Sequence, residues 1–331
     1  MTARLYAPDF AQLLLGRPRF HPAFRGWVGA GRRRKSLWRL ILGVVICGLT
    51  YLALLMLVLG GALGGLALAE GARLESLLAM PDPQRLLQSL PIPAAVLILL
   101  ATFAGMWLGP WLALTLLHRR GFWGLLAGPG RWAWRHVWIG IGIALSALGL
   151  AVVLDLLTGN ALSGGSTGTL REIRDSLSGW GWYLLPLIPM TILQACGEEV
   201  LFRGYLQQQL VARCRNPLVW AVLPSLLFGL LHWQGTYGLV YVMVTTLFGL
   251  TAALITWRTG SLAGAMGLHF GNNLITFALT NPQDLAGQIT GAQGSEGVTL
   301  AALATGGLFF LLVLILVASR WSPFTPARRD G

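Results

Sequence analysis

Two adjacent carboxylates stand near an arginine in Gly197–Glu198–Glu199–Val200–Leu201–Phe202–Arg203, inside or at the edge of an apolar segment that begins near Trp180. In lipid an ionisable side chain costs a few kcal/mol or more, so such residues are functional candidates by default. Glu199 and Arg203 are four apart with the glutamate first, the favourable order for a helical ion pair. That pairing neutralises one carboxylate and fixes the helix rotation. Glu198 points about 100° away round the helix and stays free. A free carboxylate in low polarity suits a general base.

Two histidines follow in other apolar segments. His232 ends the run Phe228–Gly229–Leu230–Leu231–His232, and His269 opens His269–Phe270–Gly271–Asn272–Asn273. Asn273 is four on from His269, so both side chains share one helix face. Gly267 and Gly271 flank the histidine at small-xxx-small spacing, which lets a neighbouring helix approach closely. Glu198 and His232 are each 17 residues from Arg215, near the turn between their two segments. An antiparallel pair then sets them at equal depth. Glu198, His232, His269 and Asn273 can converge. Such a set can polarise a water and stabilise an oxyanion, or hold a divalent metal such as zinc through Glu198, His232 and His269 with a position left open. Singly, each has a plainer reading: a structural ion pair for Glu199–Arg203, a helix-end residue for His232, a packed core histidine for His269. Taken together, with Asn273 in register, they point to a site.

The elements that must position them are membrane helices. The chain of 331 residues is 55% hydrophobic and 11% charged, with mean hydropathy +0.66. A soluble domain carries about a quarter charged residues. The net charge of +12 does not imply a nucleic-acid partner, because the arginines sit in short stretches between apolar runs. Cys47, Cys196 and Cys214 imply no disulfide framework. No cleavable signal peptide is expected, since the first 36 residues are polar and basic.

Spans are expected at about 37–59, 94–117, 137–157, from Trp180 onward, then 218–233, 239–257, 261–279 and 299–318. Gly60–Gly61 and Gly64–Gly65 should loosen the end of the first and offer a close-packing face. Loops are expected at 70–91 and 281–297. Residues 158–179 should form a Gly/Ser-rich stretch with a short amphipathic turn at Arg171–Asp175. His118 reads as a solvated loop histidine, and Trp123, Trp132, Trp134 and Trp138 with nearby arginines mark a membrane interface. With eight crossings and the N-terminus inside, twenty of the Lys and Arg residues face inward and four outward. Both termini should therefore be cytoplasmic in a plasma (inner) membrane. Residues 1–36 read as a basic anchor, 37–178 as three N-terminal spans with loops, 179–281 as a helical core, and 282–331 as a loop, last span and basic tail. His232 and His269 can meet only if the fourth and fifth helices project beyond the membrane on the cytoplasmic side, which would open the site that way.

Glu-Glu-x-x-x-Arg, Phe-x-x-x-His and His-x-x-x-Asn, in that order on successive helices, resemble the CPBP (Abi) family of intramembrane proteases. That family includes the type II CAAX prenyl endopeptidases, bacteriocin-processing and immunity proteins, and lysostaphin-resistance proteins. The resemblance covers roughly residues 180–280. It implies that Glu198 and His232 activate water, that His269 and Asn273 stabilise the oxyanion, and that Glu199 and Arg203 organise the site. It also implies a metallo-endopeptidase class. The sequence carries no His-Glu-x-x-His helix, so a zinc site would draw its ligands from three helices.

The expected protein is thus an all-α polytopic bundle of about eight spans. It would hydrolyse a peptide bond of a membrane-anchored peptide or protein, CAAX-type or otherwise lipidated, within the lipid bilayer. A non-catalytic immunity or partner protein of the same fold is the alternative. A proton-coupled transporter predicts internal repeats, and none is visible.

Overall fold

An apolar run in lipid must satisfy every backbone N–H and C=O within itself, which only a helix allows in an open chain. The computed structural model describes residues 20, 22–32, 34–69, 90–129, 131–157, 169–233, 237–285 and 300–325. Among these the chain is all α, with a lone bridge between Ala127 and Ser261. The helices are α1 (Pro22–Gly31), α2 (Leu37–Ala69), α3 (Ile92–His118), α4 (Trp123–Leu126), α5 (Trp134–Leu157), α6 (Thr169–Trp180), α7 (184–211), α8 (Leu218–Leu230), α9 (Gly238–Thr259), α10 (Ala263–Leu279) and α11 (Leu300–Ala318).

Each of the eight expected apolar runs is helical. Among the described residues five helices are long and apolar enough to cross a membrane: Leu37–Ala69, Ile92–His118, Trp134–Leu154, Ile173–Val211 and Gly238–Thr259. Leu218–Leu230 and Leu303–Ala318 are shorter apolar helices. Large apolar side chains such as Leu49, Met56, Leu185 and Ile315 are exposed on the outside of the bundle, the surface that lipid would cover. The protein is a polytopic membrane bundle.

Several expectations need correcting. α2 does not loosen at its glycine pairs but runs on for 33 residues, about 50 Å at 1.5 Å per residue. A methyl added at Gly60, Gly61, Gly64 or Gly65 would meet open space, so no helix among the described residues packs there. The amphipathic turn at Arg171–Asp175 is a full helix of 12 residues, with exposed Arg171–Asp175 and Arg174–Asp175 pairs at 3.8 and 3.1 Å. It ends at Gly181, whose φ of +53° turns the chain into α7. The expected loops at 70–91 and 281–297 lie largely outside the described residues, as do most of the Gly/Ser-rich stretch and the basic tail.

The described part of the basic N-terminal segment packs into the bundle. Phe24, Trp27 and Val28 of α1 are fully buried. The Trp27 indole donates to Leu125 O at 2.9 Å, and Phe24 packs on Trp220 with ring centroids 5.7 Å apart. Gln208 of α7 donates to Trp27 O and to Gly124 O, each at 2.9 Å, and accepts from Arg120. One amide thus ties α1 and α4 to the end of α7.

α5 packs along α10 through backbone contact. A methyl on Gly267 would collide with the Val137 carbonyl, and one on Gly140 with the backbone at Gly264 and Leu268. Small residues let two membrane helices approach closely enough for dispersion to hold them. The spacing read at Gly267 and Gly271 serves this contact, and it fixes the position of His269 between them.

Candidate functional site

α7 is not a uniform α-helix. Two π-helical stretches, Ile192–Cys196 and Val200–Leu206, flank the short α-turn Gly197–Glu199. Such bulges re-aim side chains and are frequent at functional sites. The first is braced by α3: the Trp107 indole donates to Leu193 O at 2.8 Å and lies against Gly197, where a methyl would strike it.

The bulges place four polar side chains in the bundle interior. Arg203 Nη1 pairs with Glu199 Oε1 at 2.9 Å, the contact expected from the spacing, and both side chains are almost fully buried. The guanidinium also lies 4.5 Å from the centroid of the Phe228 ring on α8. His269 of α10 adds a second contact to the same oxygen, its Nδ1 lying 2.7 Å from Glu199 Oε1. Glu199 Oε2 and Arg203 Nη2 are buried without a hydrogen-bond partner among the described residues. A carboxylate paired with a guanidinium can only accept, so Nδ1 carries the proton.

Glu198 is not free. Its Oε1 accepts from Gln194 Nε2 at 2.8 Å. Its Oε2 is buried without a hydrogen-bond partner among the described residues, and faces His269 Nε2 at 3.4 Å. Asn273 donates through Nδ2 to Gln194 Oε1 at 2.9 Å, and its own Oδ1 accepts from Asn272 at 3.1 Å. Asn273, Gln194, Glu198, His269, Glu199 and Arg203 therefore form one connected polar cluster between α7 and α10.

His232 stands apart from that cluster. α8 ends at Leu230, and His232 lies in the turn beyond it, half-buried. Its Nδ1 donates to Phe228 O at 2.7 Å, and its ring lies 4.4 Å from the Phe228 ring. The Phe228 ring meets His269 edge-on at 5.9 Å. The two histidines thus share one phenyl ring, and no hydrogen bond joins His232 to Glu198, His269 or Asn273 among the described residues. The count from Arg215 assumes a regular rise, and the π-helical stretches in α7 and at Leu218–Val222 in α8 depart from it.

The donor set Glu198, His232 and His269 does not fit a three-ligand metal cage as placed. Among the described residues no three His, Cys, Asp or Glu side chains cluster in a way that could hold a metal ion. Nδ1 of His269 is taken up by Glu199, and Nε2 faces Glu198.

Two further residues escaped the sequence reading. Gln194 is four before Glu198, the helical spacing already used for Glu199 and Arg203, and that spacing was its available signal. His118 is not solvated: it is buried at the end of α3, with Nε2 3.2 Å from the Tyr205 hydroxyl. A cleft of about 1030 Å³ lies elsewhere, between α1 and the 120–134 segment, and none of the predicted site residues lines it.

No solved structure matches the chain. An uncharacterised protein of Bacillus subtilis (strain 168), YyaK, is 28% identical over 171 residues, half of this chain and 54% of that protein. The chain thus spans about half the length of the curated relative it matches. The family model of Rce1-like type II CAAX prenyl endopeptidases matches residues 180–275. That segment holds the whole cluster from Gln194 to Asn273, and over it the chain is similar to the Rce1-like endopeptidases.

Proposed function

We propose that this chain is an intramembrane endopeptidase that cuts a peptide bond of a membrane-anchored, CAAX-type or otherwise lipidated substrate, with Glu198 as the base. The observation that carries the reading is the unpartnered, buried Glu198 Oε2 set 3.4 Å from His269 Nε2. A carboxylate oxygen left open in a water-poor setting is poised to take a proton from a water. The Rce1-like match over the same residues supports the reaction class and the substrate type.

In this reading water binds against Glu198 Oε2 and the substrate carbonyl lies beside it. Glu198 takes the water proton as the oxygen attacks the carbonyl carbon. The resulting oxyanion is met by a proton on His269 Nε2 and by the second N–H of Asn273. Glu199 and Arg203 hold His269 in place, and a protonated His269 makes the two carboxylates, the guanidinium and the imidazolium sum to zero charge. Collapse of the intermediate breaks the C–N bond, and Glu198 returns its proton to the leaving amine. His232, with Nδ1–H on the Phe228 carbonyl, keeps Nε2 as an acceptor to orient the water from the other side of the ring. No step runs through a metal.

We place the catalytic core at 179–281, after a basic segment (1–36) and three N-terminal spans with loops (37–178), and before a last span and tail (282–331). We place the chain in the plasma (inner) membrane with both termini cytoplasmic; the charge distribution supports that orientation.

The test uses the full chain in proteoliposomes with a quenched fluorescent farnesylated CAAX peptide as probe. Wild type should cleave it and Glu198→Gln should not, while inserting equally well. Full cleavage by Glu198→Gln would overturn the assignment. A second reading, a non-catalytic immunity-type partner, is favoured by the fully buried Glu199–Arg203 pair, which is also what a structural network needs. Cellular complementation by a Glu198/His232 double variant would support it.

A further inference from the structure

We infer that Gln194 is the positioning residue of this site: its side-chain amide aims Glu198 and ties it to Asn273 on the facing helix. The inference rests on the catalytic role proposed for Glu198.

Gln194 is buried, 4% exposed, and both ends of its amide are used. Nε2 donates to Glu198 Oε1 at 2.8 Å, and Oε1 accepts from Asn273 Nδ2 at 2.9 Å. The donation occupies one carboxylate oxygen and leaves the other, Oε2, turned toward His269 Nε2. Without it the Glu198 carboxylate could rotate, and either oxygen could take the outer position. The acceptance fixes Asn273, so that one of its two N–H groups is held and the other has a defined direction. A single amide thus sets the relative geometry of base and oxyanion donor across two helices.

The local backbone shows the same purpose. Gln194 sits in the first π-helical stretch, Ile192–Cys196, and Trp107 braces the preceding residue through Leu193 O. Buried amides are costly unless fully hydrogen-bonded, and a fully satisfied amide network specifies one geometry. A glutamine that served only packing would need no such bracing.

Three variants test the inference in the same proteoliposomes. Gln194→Leu keeps the volume but removes both hydrogen bonds. Gln194→Glu keeps the shape and the acceptor for Asn273, yet loses the amide donor to Glu198. Gln194→Asn retains the amide on a shorter stem. Leu and Glu should each lower kcat about 100-fold with KM within twofold of wild type, and Asn should recover part of the loss. A Gln194→Glu protein with wild-type kcat, or a loss confined to KM, would overturn the inference.

A second measurement does not need turnover. The infrared carboxyl and carboxylate bands assigned to Glu198, by their absence in Glu198→Gln, should move in Gln194→Leu. Bands that stay in place would also overturn it. Should wild type leave the farnesylated peptide intact, the substrate reading falls, while the infrared comparison still decides the role of Gln194.

Discussion

Glu199 holds His269 through the same carboxylate oxygen that holds Arg203: Oε1 lies 2.7 Å from His269 Nδ1 and 2.9 Å from Arg203 Nη1. One oxygen therefore couples a charge pair within α7 to the imidazole on α10. The arrangement commits Nδ1 of His269 to Glu199 and leaves Nε2 to face Glu198, much as a buried acid orients the histidine of a hydrolytic triad.

Removing the Glu199 charge should damage the fold before it damages chemistry. Glu199→Gln leaves the Arg203 guanidinium buried without a counter-ion, and breaking such a pair costs about 3–5 kcal/mol. Thermal unfolding in detergent should show a large drop in midpoint. Glu199→Gln/Arg203→Met should recover most of it, because the unpaired charge has gone.

His232→Ala should behave in the opposite way. Its side chain lies beyond the end of α8, half-buried, and is hydrogen-bonded to the backbone carbonyl of Phe228 within that helix. The stability loss should stay near 1 kcal/mol, while cleavage of the farnesylated peptide falls at least 100-fold. Unfolding midpoint and initial rate, measured on one preparation, separate the two effects. Unimpaired cleavage would remove His232 from the mechanism.

Gly267→Ala probes the α5–α10 contact. The new methyl would meet the Val137 backbone, which has no flexible end to move aside. Overpacking of this kind costs about 1–3 kcal/mol or more. Because His269 is two residues along, activity should fall as well. Gly142→Ala on α5, where a methyl meets open space, is the control and should be neutral in both assays.

Gln208→Leu should release α1. It removes donations to Trp27 O and Gly124 O and the acceptor for Arg120, and each buried polar group left unpaired costs about 1–3 kcal/mol. Limited proteolysis should then cut near residues 32–36 faster than in wild type. An unchanged cleavage rate would mean that Phe24 and Trp27 hold α1 by packing alone.

The helices were legible because apolar length dictates them, and all eight runs fold as helices. The Glu199–Arg203 pair and the shared face of His269 and Asn273 were also legible, since each depends on a four-residue spacing within one helix. What spacing could not give was any relation across helices that passes through a π-helical turn. Glu198 was read as unpaired because Gln194 lies one turn earlier, in a bulge that no composition rule marks. His232 was set level with Glu198 by counting residues, which assumes a regular rise that the widened turns of α7 and α8 do not keep. His118 was read as wet because it stands next to two arginines. Its burial depends on Tyr205, 87 residues away.

The widened turns of α7 carry a further lesson. A π-turn holds one residue more than the helix around it needs. Deleting Ala195 would let that turn relax to ordinary α geometry and would leave Gln194 three residues from Glu198 instead of four. No side chain of the cluster would have been removed, yet the amide and the acid it holds would meet at a different offset. The alignment of this centre is thus encoded in the tally of residues along one helix as much as in their identity.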